Sequence, residues 1–190
     1  YAGQFALHAP TLVQARVKNG ANWSGLASAF FRTPQDLTPL VVTEIMYHPL
    51  PFGTWNSDDL EFIELKNIGS NVLNLAGLSF TAGVSSTFPT GSLLNPGGFV
   101  VLVRNTAAFQ SRYPGVAIGG VYTGKLDNGG ETLRVSTELS PLFDFDYGDR
   151  APWPLAADGY GFSLVPRNSA TGVNSGDGSH WRASATVGGS

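Results

Sequence analysis

Cysteine is absent from this 190-residue sequence, which removes disulfides, thiolate zinc sites and cysteine nucleophiles together. The compartment stays open, because exported bacterial proteins also often lack cysteine. Charge is scarce as well. Asp, Glu, Lys and Arg make up 13% of the chain, beside 24 glycines and 12 prolines, and long helices are usually rich in Glu, Lys and Arg, so the balance favours short strands and turns. The 11 basic residues are spread thinly under a net charge of −3. That leaves no basic stripe for a phosphate backbone, and nucleic acid is not expected as a partner of this fragment alone. No apolar run approaches the ~20 residues that cross a bilayer, and no charged start precedes an apolar signal core, so membrane insertion is not expected. The chain opens on YAGQFALHAP without an initiator Met, inside what reads as a strand pattern. We expect a piece of a longer protein, long enough for one good-sized core or for one domain plus a fragment of another.

What is present is β-patterned. Residues 11–18, TLVQARVK, alternate Leu12, Gln14, Arg16 and Lys18 against Val13, Ala15 and Val17, and a turn NGAN leads to LASAFF, which together read as a hairpin. RTPQDLTP, residues 32–39, has two prolines and no period, so residues 1–33 are read as one segment, 34–39 as a linker and 40–190 as the main domain. LVVTEIMYHP starts that domain as a strand with Val41, Thr43, Ile45 and Tyr47 on one face. In LEFIELKN, Ile63 and Leu65 share a face opposite Phe62, Glu64 and Lys66. Short runs then follow closely (NVLNL, LSFTAG, GFVVLVRN, GVYTG, ETLRV, LFDFDYG, GFSLV), divided by turns such as NPGG and DNGG. This predicts an all-β sandwich. The one helix expected is TAAFQSRY, capped by Asn105, with Phe109 inward and Pro114-Gly115 ending it. The strand before it, Phe99–Val103, is apolar throughout, as a strand covered on both faces would be.

The stretch from Phe143 to Leu164, FDFDYGDRAPWPLAADGYGFSL, concentrates carboxylates and rings. A period of two sends Phe143, Phe145 and Tyr147 to the core and leaves Asp144 and Asp146 on the other face, about 7 Å apart, with Arg150 the nearest candidate counter-charge. Asp144, Asp146 and Asp149 supply oxygens at places one, three and six of a loop. An EF-hand wants Gly at the sixth and a bidentate Glu at the twelfth, where this chain has Asp149 and Leu155. A looser calcium site on Asp144, Asp146, Asp149 and Asp158, completed by loop carbonyls, stays open beside solvated faces and turn caps. Trp153 between two prolines reads as a plug at the core edge, and Trp55, Trp153 and Tyr160 as rings that stack on a ligand if exposed. WNSDDLE, with Asn56, Asp58, Asp59 and Glu61, reads as a charged flexible loop and a second place for calcium. Glu44 and Glu64 resemble an acid–base pair only in being two carboxylates, and salt bridges to Lys66 or Arg104 account for them. His8, His48 and His180 have no ligand spacing. Ser163 sits in a strand without a Gly-x-Ser-x-Gly elbow, and the glycine turns lack the lysine and helix of a phosphate cradle.

The segments VVTEIMYHP, DLEFIELKNIGSNVLNLAGLSF, LNPGGFVVLVRN, AAFQSRYPG, GKLDNGGETLRV and YGDRAPWPLAADGYGFSLVPR resemble, in order, the bacterial form of the lamin-tail domain, over residues 40 to about 187. FALHAPTLVQARVKNGANWSGLASAFF is similar to the end of a chitobiase C-terminal-type module, of which only the last strands are present. The resemblance implies an immunoglobulin-like β-sandwich with one short helix that is not catalytic. It implies a binding or tethering module of a larger exported bacterial protein, extracellular or at the cell surface, whose partners are a protein, a cell-surface polymer or other domains of the same chain. Unlike nuclear lamins, the sequence has no coiled-coil heptads and no basic localisation cluster. The alternative is a calcium-stabilised carbohydrate-binding module built on the acidic loops and the rings of Trp55, Trp153 and Tyr160.

Overall fold

The computed structural model describes residues 3–7, 11–31 and 35–189. The chain divides into two compact units, Tyr1–Asp36 and Leu37–Ser190. His8, and Arg32, Thr33 and Pro34 at the expected boundary, lie outside the described residues.

The first unit contains the expected hairpin. Strand β1 (Thr11–Ala15) runs antiparallel to β4 (Ala27–Phe31), and the inner pair β2 (Lys18–Asn19) and β3 (Asn22–Trp23) continues the ribbon to its tip. Gly20 takes φ 60° in the turn, which a residue without a Cβ reaches at no steric cost. Lys18 faces Trp23 in register, and the Arg16 guanidinium lies 4.1 Å from the centre of the Trp23 ring, a cation–π contact on the polar face of the ribbon.

The second unit is an immunoglobulin-like β-sandwich with one short helix. Its strands, in chain order, are β5 (Leu40–Met46), β6 (Phe62–Asn67), β7 (Leu73–Asn74), β8 (Ser79–Ala82), β9 (Ser86–Thr87), β10 (Leu93–Leu94) and β11 (Phe99–Val103), then helix α1 (Thr106–Arg112). After it come β12 (Ile118–Val121), β13 (Gly130–Ser136), β14 (Pro141–Gly148), β15 (Leu164–Pro166) and β16 (Trp181–Ala183). One main sheet has the order β12-β11-β6-β5-β15-β16 and the other β14-β13-β8-β9, while β7 and β10 pair as a separate two-stranded ribbon. A bridge between Ser85 and Thr123, with Ser86 Oγ donating to the Val121 carbonyl, ties the β9 margin of one sheet to the β12 margin of the other. On the opposite side the margins are β14 and β16. There the Trp181 ring stacks on Phe145 at 6.3 Å and meets Trp153 at 6.0 Å.

Between the sheets, Ile63 and Leu65 pack with Leu102, Leu133, Val135, Phe145 and Trp181, as their alternation requires. Strand β5 departs from simple alternation. Val42 is opposite Leu65 and Glu44 opposite Glu64, so Thr43 is an extra residue, a β-bulge that reverses the phase of the strand. The expected face of Val41, Thr43, Ile45 and Tyr47 is thereby corrected: Leu40, Val42, Ile45 and Tyr47 enter the main core. Met46 falls on the other face with Phe62, Val101, Val103 and Phe109 of the helix, a second cluster. Helix α1 forms where expected, because Asn105 accepts from the backbone N–H groups of Ala107 and Ala108. It covers the outer side of β11, which is why that strand is apolar on both faces.

Trp181 was not among the expected core residues, yet its indole is fully buried and donates to the Ser175 carbonyl at 3.2 Å. Trp181→Ala is expected to lower the unfolding free energy by about 3–5 kcal/mol in urea denaturation, and Trp153→Ala by clearly less, since Trp153 is half-buried. Equal losses would contradict the central place given to Trp181.

Candidate interaction surface

The four aspartates of the Phe143–Leu164 stretch divide into two pairs. Asp144 and Asp146 stand on the outer face of β14, opposite Arg134 and Thr132 of β13. Arg134 Nη2 lies 2.7 Å from Asp144 Oδ2, and the Thr132 hydroxyl donates to Asp146. Arg150 is therefore not the counter-charge of this pair: it follows the end of the strand and lies 3.9 Å from Asp149, whereas residues facing each other across a ladder are held within reach. Asp158 Oδ1 is 2.7 Å from His48 Nδ1. The Tyr47 hydroxyl, buried without a hydrogen-bond partner, is held above the usual phenol range by burial first and then by the nearby Asp158 and Asp149. Asp149 and Asp158 thus share one region while Asp144 and Asp146 stay on the sheet. Among the described residues no three His, Asp or Glu side chains are grouped to hold a metal ion, so a calcium site here would rest on two carboxylates and loop oxygens.

The WNSDDLE segment is ordered, which corrects the reading of it as a flexible loop. Asp58–Leu60 form a 3-10 turn, Asn56 Oδ1 accepts from the Asp59 N–H, and Asn105 Nδ2 donates to Asp59. Asp58 receives Arg104 at 3.1 Å and Lys125 at 3.6 Å. Glu61 is buried, and its Oε2 accepts from the Leu126 N–H at 2.9 Å and from the Tyr122 hydroxyl at 3.2 Å. Its Oε1 lacks a hydrogen-bond partner, 4.0 Å from Arg104 Nη1. Burial pushes the Glu61 carboxyl up to about 7, against the opposing pull of the Leu126 N–H and Arg104 and with help from Asp58.

Glu44 and Glu64 face each other across β5 and β6, but each carboxylate is occupied. Ser163 Oγ donates to Glu44 at 2.6 Å and Thr43 Oγ1 to Glu64 at 2.6 Å. The expected bridge to Arg104 is not formed, because that guanidinium turns to Asp58, and Lys66 lies over the Phe99 ring at 4.6 Å. Glu64 is raised above the ordinary carboxylate range by burial, with Glu44 adding and Thr43 and Lys66 opposing. Ser163 is a structural donor here, its own N–H bonded to Ser184 Oγ. Of the histidines, His48 pairs with Asp158 and His180 lies 3.8 Å from Asp177.

The three candidate stacking rings also separate. Trp153 packs on Trp181, and a Cβ at Gly178 would sit 3.0 Å from the Trp153 ring. Trp55 is half-buried in a small bridge to Phe52, while Tyr160 is 68% exposed. Around Gly161 the loops assemble an apolar surface that no single motif announced. A Cβ at Gly161 would meet both Leu50 Cδ1 and Val187 Cγ1 at 2.9 Å, so those side chains flank it, and the Gly161 carbonyl accepts from the Gly188 N–H at 2.7 Å. Leu50, Phe52 and Val187 are 41%, 44% and 51% exposed. Arg112, at the C-terminal end of α1, donates to the Leu50 carbonyl at 3.4 Å and lies 5.4 Å from the Phe52 ring centre. An exposed patch of this kind on an ordered scaffold marks a contact surface. The sequence signal was weak, because the patch draws one or two residues from each of four separate segments.

The family model of the Lamin Tail Domain matches residues 33–140. The chain belongs to this family. No curated protein and no solved structure matches it. Lamin tail domains are immunoglobulin-like interaction modules rather than enzymes. The matched span holds Glu44, Glu61, Glu64 and Arg112. It ends before β14, whereas β14, β15 and β16 complete the same two sheets.

In this lamin tail domain Glu61 gives stability a defined pH dependence. Its folded value near 7 exceeds the ordinary 4.5, so the folded state holds the proton more tightly. The contribution, about 3 kcal/mol, is complete below about pH 4.5 and is lost as pH rises toward about 7. Glu64, raised in the same sense, adds to the trend. Chemical denaturation from pH 5 to 8 should show stability falling with pH, and Glu61→Gln should flatten most of that slope. An unchanged slope in the variant would remove Glu61 as its source.

Proposed function

We propose that this chain is a non-catalytic binding or tethering module of a larger exported bacterial protein, working outside the cell or at its surface on a protein or a surface polymer. The observation that carries this reading is the exposed Leu50, Phe52, Tyr160 and Val187 set on loops between ordered strands and α1. Rigid support with an apolar surface is what a docking module needs. The engagement of Glu44 by Ser163 and of Glu64 by Thr43 supports a structural role for the carboxylates that sequence alone would offer to a hydrolase. In this reading the first 33 residues are the last strands of a chitobiase C-terminal-type module, with further domains of the same chain as neighbours; the family match begins only at residue 33. Purified protein is expected to give no turnover of nucleic acids, phosphoesters or glycans, and hydrolysis that disappears in Glu44→Gln would overturn the proposal.

A second reading, a calcium-stabilised carbohydrate-binding module, is favoured by the exposed Tyr160 beside Asp158, with the unpartnered Tyr47 hydroxyl close to Asp149 and Asp158. A ligand that binds only the folded state raises the unfolding midpoint. The leading reading expects the same midpoint in EDTA and in millimolar calcium. A calcium-induced rise abolished by Asp158→Asn would move the assignment to the second.

A further inference from the structure

The guanidinium of Arg112 is fixed from several sides. It lies 5.4 Å from the Phe52 ring centre and 5.7 Å from that of Tyr113, donates to the Leu50 carbonyl, and has Gly188 against it, where a Cβ would come within 2.9 Å of Nη2. Tyr113 in turn donates to the Gly188 carbonyl at 2.5 Å, and Gly188 to Gly161, so the arginine, its rings and the loops around it form one assembly. Gly188 has φ +100°, a conformation open to glycine and strained for other residues, which lets the chain pass this close to the guanidinium.

The other arginines and lysines near acidic groups face a carboxylate: Arg104 and Lys125 face Asp58, Arg134 faces Asp144 and Arg150 faces Asp149. Arg112 makes no ion pair with a described carboxylate, and only part of its five-donor fork is used. Beside it stand the exposed aliphatic side chains of Leu50 and Val187.

We propose that this surface binds a peptide segment of a partner protein that presents a carboxylate next to an aliphatic side chain, the carboxylate on Arg112 and the aliphatic group on Leu50 and Val187; this rests on the binding-module reading above. A pre-positioned guanidinium loses little freedom on forming a forked pair with a carboxylate. Arginine flanked by rings is also the residue type that anchors protein interfaces. One cation, with Asp158 at the same end of the molecule, suits a single negative charge better than a phosphate dianion, and an aliphatic floor suits a peptide side chain better than a sugar ring.

The test is an NMR titration of the full chain with the synthetic peptide Ac-Ala-Leu-Glu-Leu-Ala-NH2 and its Gln counterpart, following the Arg112 Nε–H and the methyl groups of Leu50 and Val187. The Glu peptide is expected to shift these signals and the Gln peptide to bind at least about fivefold more weakly. Arg112→Gln should abolish the difference between the peptides, Arg112→Lys should retain part of it, and Arg134→Gln on the other sheet should leave it intact. Equal binding of both peptides, shifts confined to another face, or no shift at about 10 mM peptide would each overturn this surface proposal. None of those three results touches the binding-module reading, which falls only to the turnover and calcium experiments.

Discussion

One inserted residue, Thr43, sets the phase of the outer face of the larger sheet. Without the bulge, β5 could send either Leu40 and Val42 or Ile45 and Tyr47 into the space between the sheets, but not both pairs. With it, all four enter the core, and the following residues are delivered to the far side in a fixed order. Glu44 arrives opposite Glu64, and Met46 arrives beside Phe62 under the helix. The bulged residue spends its own hydroxyl on the Glu64 carboxylate. The second apolar cluster, the seat of α1 and hence the position of Arg112 at the helix end all follow from that insertion.

The scarce charges are used locally. Arg134 and Asp144 join adjacent strands, and Asp58 gathers Arg104 and Lys125. Glu61 takes on the amide of Leu126 and the hydroxyl of Tyr122 from a buried position. An exposed pair such as the first contributes little to stability, whereas the buried carboxylate orders several loops at the cost of desolvation. A domain with few charges can therefore still carry a strongly perturbed group, and here that group organises an end of the sandwich.

Much of this was legible in the sequence wherever a rule acts over a few residues. The hairpin at residues 11–31, the Asn105 cap, the covered Val101–Val103 end of β11 and the inward Phe145 and Tyr147 all follow from local period or capping, while Phe99 at the start of that strand is exposed. The misses have a common cause, since each depends on pairing between distant segments. A period of two cannot reveal the bulge at Thr43. Proximity in sequence pointed Asp144 and Asp146 to Arg150, while cross-strand register assigns Asp144 to Arg134. Glu61 carried the polar look of its loop although Tyr122 and Leu126 enclose it, and Trp181 follows a run of Gly, Ser, Asp and His that gave no sign of a strand. The patch of Leu50, Phe52 and Val187 was invisible for the same reason.

The order of strands in the larger sheet has a mechanical meaning. Strand β15 is antiparallel to both β5 and β16, so β5 and β16 point the same way. The chain enters the sandwich at one pole of this sheet and leaves its last strand at the other. Tension applied at those two poles would be directed along the strands, sliding β5 and β16 past β15, rather than across them like the opening of a zip. The direction in which a load would cross the sheet is thus set by strand order, a property separate from stability to heat or denaturant.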